Sequence, residues 1–145
     1  MNSPKKYSCA IAYSANTLGD KWNLLILRDI ILHKKSRFKE FMSSKEKIAT
    51  NVLTKKLNVL LEEGFIAKLN PLGTKKSTRY IALDKGVSAL PIIIEMYLFS
   101  IHSIDESVLD DSQIAIKNAL ITNRDLFKEE KIKQYLVFSK ELRAL

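Results

Sequence analysis

Apolar residues recur at helical spacing along most of the chain. A first periodic segment, residues 9–18, runs into Gly19, with Ser8 placed to cap it. Glycine is the residue most easily turned left-handed past a helix C-terminus. Asp20 then stands as N-cap of a second helix, residues 21–32, whose apolar positions cover more than one stripe and so predict a largely buried element. The pattern breaks at His33-Lys34-Lys35-Ser36. A short helix over 37–42 follows, with Phe38 and Phe41 at i, i+3 and Ser36 as its cap, and the polar residues 43–47 predict a turn. Over 49–63 the amphipathic pattern is clear. Leu53, Leu57, Leu60 and Leu61 share one face, Asn51, Lys55, Asn58 and Glu62 take the other, and Gly64 closes the helix.

The period then changes. Residues 65–69 and 78–83 are short strand candidates joined by a turn-rich, basic connection, which together predict a hairpin. Asp84 caps the next helix, 87–103, which is apolar almost all round and carries Pro91 in its first turns, where a missing N–H costs little. Beyond it, 105–111 is an acidic connection, followed by two helical patterns at about 112–121 and 124–142. Thr122 and Asp125 have the spacing of a capping box between them. The expected fold is mainly α with a small β hairpin: a winged helix-turn-helix with a C-terminal helical extension. The chain divides into a basic N-terminal arm (1–8), the helix-turn-helix domain (9–103) and the extension (104–145).

Composition narrows the class. With 145 residues, 46% hydrophobic and 28% charged, four glycines and three prolines, the chain is neither disordered nor fibrous, and it has too few turn residues for a many-stranded sandwich. A single cysteine cannot staple a secreted fold internally. The apolar stretches look shorter than the 18 or more residues of a membrane span, and no secretory signal is recognisable, so the expected location is cytoplasmic with no membrane partner. The net charge is +8. It is concentrated: residues 20–84 hold 14 basic and 7 acidic groups, whereas 85–145 hold 8 and 9. An excess of +7 confined to one segment predicts a polyanion-binding surface.

That segment also carries the order helix, short helix, turn, amphipathic helix, basic hairpin. A short helix and a tight turn hold the next helix proud of the surface, where its polar face fits the major groove of duplex DNA. The hairpin reaches flanking phosphates or the minor groove. The groove-facing candidates are Thr50, Asn51, Thr54, Lys55 and Lys56. Asn51 has the donor and acceptor for a paired bond to adenine, and Lys55 the reach for guanine or phosphate. Lys75, Lys76 and Arg79 are the wing candidates, with Arg37 and Lys39 supporting on the backbone. Each alone is equally a solvated surface residue; the convergence of all of them carries the reading.

These residues also resemble a family, the HxlR-type winged-helix transcriptional regulators, relatives of the MarR class. The matching features, in order, are Cys9, Gly19-Asp20-Lys21-Trp22, Arg37-Phe38-Lys39-Glu40-Phe41 and Ile48. They continue with Leu53-Thr54-Lys55-Lys56-Leu57, Leu60 to Ile66, Tyr80, Leu83, Asp84, Gly86 and Leu90-Pro91. The resemblance covers roughly residues 9–102 and implies a homodimeric regulator of double-stranded DNA, its dimer interface built from helices near 10–18 and 87–103. The chain departs from the family pattern at Ala49, where a serine is usual, so that capping passes to Thr50. It departs again at the wing, which lacks prolines before its second strand, and in the tail beyond Ser103.

In several members of the family it resembles, a cysteine at the place of Cys9 senses oxidants or electrophiles. Here Cys9 stands at a helix start near Lys5 and Lys6, which favours a thiolate; an inert thiol is the plainer reading. Trp22 is expected to anchor the core. His33 and His102 are far apart and no metal-ligand spacing is present, so no metal or other cofactor is expected. Phosphate-binding glycine loops and nucleophile elbows are lacking and the carboxylates scatter, so no enzyme is expected. Two alternatives remain: a protein-interaction scaffold, and a regulator responsive to a small-molecule effector held in a pocket at the extension. Phe127, Tyr135 and Phe138 would line such a pocket or simply pack.

Overall fold

Each helix of this chain starts and stops where a particular polar group or turn satisfies its backbone. The structure, a computed structural model, describes residues 9–70, 72–74 and 76–145. The basic arm 1–8, the Ser8 cap and Lys75 lie outside the described residues. α1 (Ala10–Leu18) has Cys9 at its N-cap in extended geometry, with no side-chain capping bond. Gly19 ends α1, but in right-handed geometry (φ −78°, ψ −9°), not the left-handed form expected. Its N–H bonds the Ala15 carbonyl at 2.9 Å and the next residue already begins another helix, leaving no place for a reversal.

α2 (Lys21–His33) starts as expected: the Asp20 carboxylate accepts from the N–H of Trp22 at 2.9 Å and of Asn23 at 3.1 Å. The left-handed residue comes at its other end, at Lys34 (φ 53°, ψ 33°). α3 (Phe38–Met42) is capped by Glu40, whose carboxylate accepts from the N–H of Arg37 and of Ser36. Ser36 is thus held by the cap and does not supply it. α4 (Thr50–Glu62) has Ala49 at its N-cap with no side-chain bond, so capping does not pass to Thr50, which is the first helical residue. Gly64 closes α4 at φ +77°, where a Cβ would be strained.

β1 (Ile66–Leu69) and β2 (Arg79–Ala82) pair antiparallel, Ile66 opposite Ala82 and Leu69 opposite Arg79. On the free side of β2, the Tyr80 N–H donates to the Ser36 carbonyl at 2.7 Å, tying the hairpin to the start of α3. The single helix expected over 87–103 is divided into α5 (Asp84–Val87), α6 (Leu90–Ser100) and a 3-10 turn (Ile101–Ser103). The run from Asp84 to Ser103 is 20 residues, long and apolar enough to cross a membrane by length and composition, which corrects the shorter stretch expected. Within the fold, Leu90, Ile94 and Ile101 of this run are buried in protein, and Asp84, Lys85 and Glu95 interrupt it.

After a second 3-10 turn (Glu106–Val108), α7 (Asp111–Arg143) runs to the end. Asn123 breaks it (φ −163°, ψ 96°) where two helices were expected to meet. The cap there is Asn123, accepting from the Leu126 N–H at 3.1 Å; Thr122 instead donates its hydroxyl to the Asn118 carbonyl.

α2 is the centre of the core. Its Ile26, Leu27, Ile30 and Ile31 meet Phe41, Leu53, Leu57 and Leu60 on one side and Leu90 and Ile94 on another. Trp22 is only partly buried, packed on this cluster under the Lys21 ammonium. α7 contributes Leu120, Phe127 and Tyr135 to the same cluster, so the last third of the chain and the helix-turn-helix share one hydrophobic centre. Each such side chain removed from water contributes roughly 1.5–3 kcal/mol.

Tyr135, 1% exposed, joins the extension to the wing: its hydroxyl accepts the Ala82 N–H at 2.8 Å. Tyr135→Phe leaves that N–H buried without a partner and should lower unfolding stability by about 1–3 kcal/mol in urea titration. Tyr135→Ala should cost about 3–5 kcal/mol, because a cavity is added.

Candidate nucleic-acid interface

The polar face of α4 emerges from its amphipathic sequence. Burying Leu53, Leu57 and Leu60 turns Thr50, Asn51, Thr54, Lys55 and Asn58 to solvent. The Thr54 hydroxyl is held by the Thr50 carbonyl at 3.0 Å, and Asn51 and Lys55 point outward one turn apart. With no side chain capping α4, its first N–H groups and the positive end of its dipole are open to an anion. Lys56 differs. It is turned back toward α2, where its ammonium pairs with the Asp20 carboxylate at 2.5 Å with a fifth of its side chain exposed. Burial works to raise the Asp20 carboxyl, but the Lys56 ammonium and the N–H groups of Asn23 and Trp22 hold it below its ordinary value.

The wing is built by local hydrogen bonding. The Thr74 carbonyl accepts from the N–H of both Ser77 and Thr78, each at 3.0 Å, and from the Thr78 hydroxyl at 2.9 Å. This fold leaves Lys76 exposed at the tip beside Leu72, itself 99% exposed. Arg79 is half-buried at the wing base, its guanidinium donating to the Ser36 hydroxyl at 3.2 Å. Arg37 and Lys39 are exposed at the start of α3. A hollow between α4 and the wing is lined by Thr54, Asn58, Lys68, Gly73 and Thr78. Lys68 and Asn58 thus join the surface, and the exposed position of Lys68 on a two-residue strand period was the signal for it.

A buried polar cluster behind this face sets its position. Asp29, 3% exposed, accepts from the Arg28 guanidinium at 2.8 Å, from Lys35 at 3.4 Å, and from the Ser44 hydroxyl in the turn before α4. Arg28 also forks onto both carboxylate oxygens of Glu46 in that turn. Burial works against the Arg28 charge, but Glu46 and Asp29 outweigh it and raise its pKa; the same bonds hold the Glu46 carboxyl below its ordinary value, burial opposing. Sequence pattern gave no sign of this cluster, because Ser44 and Glu46 lie 15 and 18 positions from the Asp29 and Arg28 that they bond.

Cys9 is exposed at the head of α1. His33 and His102 stay apart, and no group of three metal-ligating residues occurs among the described residues. Of the aromatic residues in the extension, Phe127 lines a cavity beside α2 and α6, whereas Tyr135 and Phe138 pack on each other at 6.2 Å.

The sequence model of the HxlR-like helix-turn-helix family matches residues 17–108. Among solved structures, a candidate transcription factor, PA1607, superposes with a TM-score of 0.63 at 27% identity, over 75% of each chain. The reduced form of the transcriptional regulator YodB from B. subtilis superposes at 0.53 with 23% identity, over 69% of this chain and 92% of that one. No curated protein sequence matches the chain.

The depressed Glu46 carboxyl links the site to pH. Its contribution to stability is full above the ordinary value of 4.5 and is lost as pH falls through the lower folded value. Unfolding followed between neutral pH and pH 3 should therefore show a steeper acid loss for the native chain than for Glu46→Gln; equal slopes would remove the ion pair from this role.

Proposed function

The chain belongs to the HxlR-like helix-turn-helix family of DNA-binding transcriptional regulators, and from that premise we propose that it binds particular duplex DNA sequences as a symmetric homodimer. The observation that carries this reading is one surface: the exposed hydrogen-bonding face of α4 beside a basic wing, on the segment of net charge +7. In this reading Thr50, Asn51, Thr54 and Lys55 enter the major groove. Lys75, Lys76 and Arg79 serve the flank, and Arg37 and Lys39 meet phosphates. Lys56 orients α4 through Asp20 without touching DNA.

Two copies meet through α1 and α6. Ile92, Met96 and Phe99 form one stripe of α6 at i, i+4 and i+7, Phe99 being 88% exposed, and Ile11 of α1 is 79% exposed. Tyr13 of α1 and Ile92 of α6 line a common hollow, so the two helices share a side of the protomer. A stripe of this size left in water favours a second apolar surface, and a two-fold pair is the commonest solution. The operator is then an inverted repeat with half-sites about 34–36 Å apart or a multiple of that. The protein works in the cytoplasm, and Cys9, exposed at the head of α1, is the thiol by which an oxidant or electrophile reaches the dimer.

Binding to the DNA upstream of the gene itself should weaken with salt along a steep log–log line, because phosphate contacts release counterions. Asn51→Ala should cost about 1–3 kcal/mol and relax sequence preference, whereas Lys76→Ala should weaken binding to all sequences alike and flatten the salt slope by about one unit. A flat salt dependence would overturn the reading. Phe99→Asp should convert the dimer to monomer by light scattering. Cys9→Ser should abolish the response of DNA binding to diamide; an unchanged response would exonerate the thiol.

A further inference from the structure

Between α2, α6 and α7 lies a cavity of about 280 Å³. Leu24, Leu25 and Leu32 form one wall, Ile93 and Met96 another, and Ile116, Leu120 and Phe127 the third. The polar groups at its edge are few: Arg28, His33, Tyr97, Ser100 and Gln113. The site opens to solvent at Met96 and Ile104, and a volume near twice the roughly 150 Å³ cavity that takes up benzene leaves room for one or two rings. It is at the small end of ligand pockets, which have this composition of apolar walls and a few polar groups.

We propose that this cavity is a ligand site for an uncharged molecule of one or two rings, and that its occupancy reaches the recognition helix through Arg28. The charge class follows from the lining. The Arg28 guanidinium already spends Nε and Nη2 on Asp29 and Nη1 and Nη2 on Glu46, leaving no unpaired cation for an anionic ligand. A cationic ligand would find no carboxylate in the lining to pair with. Tyr97 commits its hydroxyl to the Gln113 carbonyl at 3.3 Å, and burial lowers the pKa of His33, with Asp29 opposing, so the rim offers neutral hydrogen-bonding groups.

The relay is physical. Arg28 lines the cavity, and its guanidinium grips Glu46 in the turn before α4. A ring seated against that side chain shifts the guanidinium, and Asp29 and Ser44 with it. This second half rests on the DNA-binding reading; the site itself does not.

The experiment uses the full chain and the uncharged two-ring fluorescent probe 6-propionyl-2-dimethylaminonaphthalene. Titration without DNA should show one probe per protomer. Ile116→Trp and, from the opposite wall, Leu24→Phe each fill the cavity and should weaken binding about tenfold or more while a cooperative thermal transition is kept. Val137→Ser, in a separate exposed apolar hollow of α7, should leave the probe affinity unchanged. Affinity unaltered in whichever filled variant folds, or lost in Val137→Ser, would overturn the site. In a second arm, saturating probe should shift the half-saturation point on labelled upstream DNA several-fold in the native chain. The shift should vanish in Glu46→Gln, which still binds the probe. A shift that persists in Glu46→Gln, or is missing in the native chain, would overturn the relay. A chain that bound no DNA would be read as failure of the DNA reading, since the first arm decides the cavity without DNA.

Discussion

The carboxylate of Asp29 is the constraint on which the rest of this structure depends. It sits in the wall of the central helix, 3% exposed, where an unpaired charge would cost several kcal/mol. Its pairing with Arg28, Lys35 and the Ser44 hydroxyl draws three stretches of chain together: α2, the segment that follows it, and the turn before α4. The carbonyl of the same residue accepts from the N–H of Lys34 and of Lys35, which ends α2 and starts the path toward α3. Since α4 has no side-chain cap of its own, its entry direction is set by this cluster from one side and by Lys56 on Asp20 from the other. The exposed polar face of α4 is therefore held by partly buried ionic contacts, while its own groups stay open.

Around that cluster the hydrophobic contacts are shared widely. α2 faces the helix-turn-helix, α6 and α7 at once, and α7 reaches the hairpin through Tyr135. Exposed pairs such as Arg124 with Glu95 at 2.6 Å and Lys45 with Asp110 at 2.5 Å reinforce this arrangement at the surface, each worth little in water. One helix thus carries packing on one side, the ionic cluster along its edge, and a wall of the cavity. A change in any of these is felt by the others, because close-packed interiors transmit small displacements.

Much of the fold was legible as periodicity. The leucines of α4 announce a helix with one buried face, Asp20 announces the start of α2, and the break at Asn123 is visible as an interruption between two apolar patterns. The finer assignments failed where a contact from elsewhere decided them. The caps at Ser36 and Thr122 were misplaced because Glu40 and the Asn118 carbonyl took those bonds first, and Gly19 ends α1 in right-handed rather than left-handed geometry. In the site, Asn51 and Lys55 were readable from their face of the helix. Lys56, one position on, lies between the faces, and only the nearness of Asp20, 36 positions earlier, turns it inward.

By itself the sequence determined the kind and order of the elements, the polar face of α4, the basic wing and the charge that accompanies them, since all of these follow from local spacing and composition. Tertiary structure alone decided that Asp29, Ser44 and Glu46 form one cluster, that the tail joins the same core, and that a cavity opens where α2, α6 and α7 meet. Those are relations between residues far apart in the chain, and local pattern carries no information about which distant side chains fill a given space.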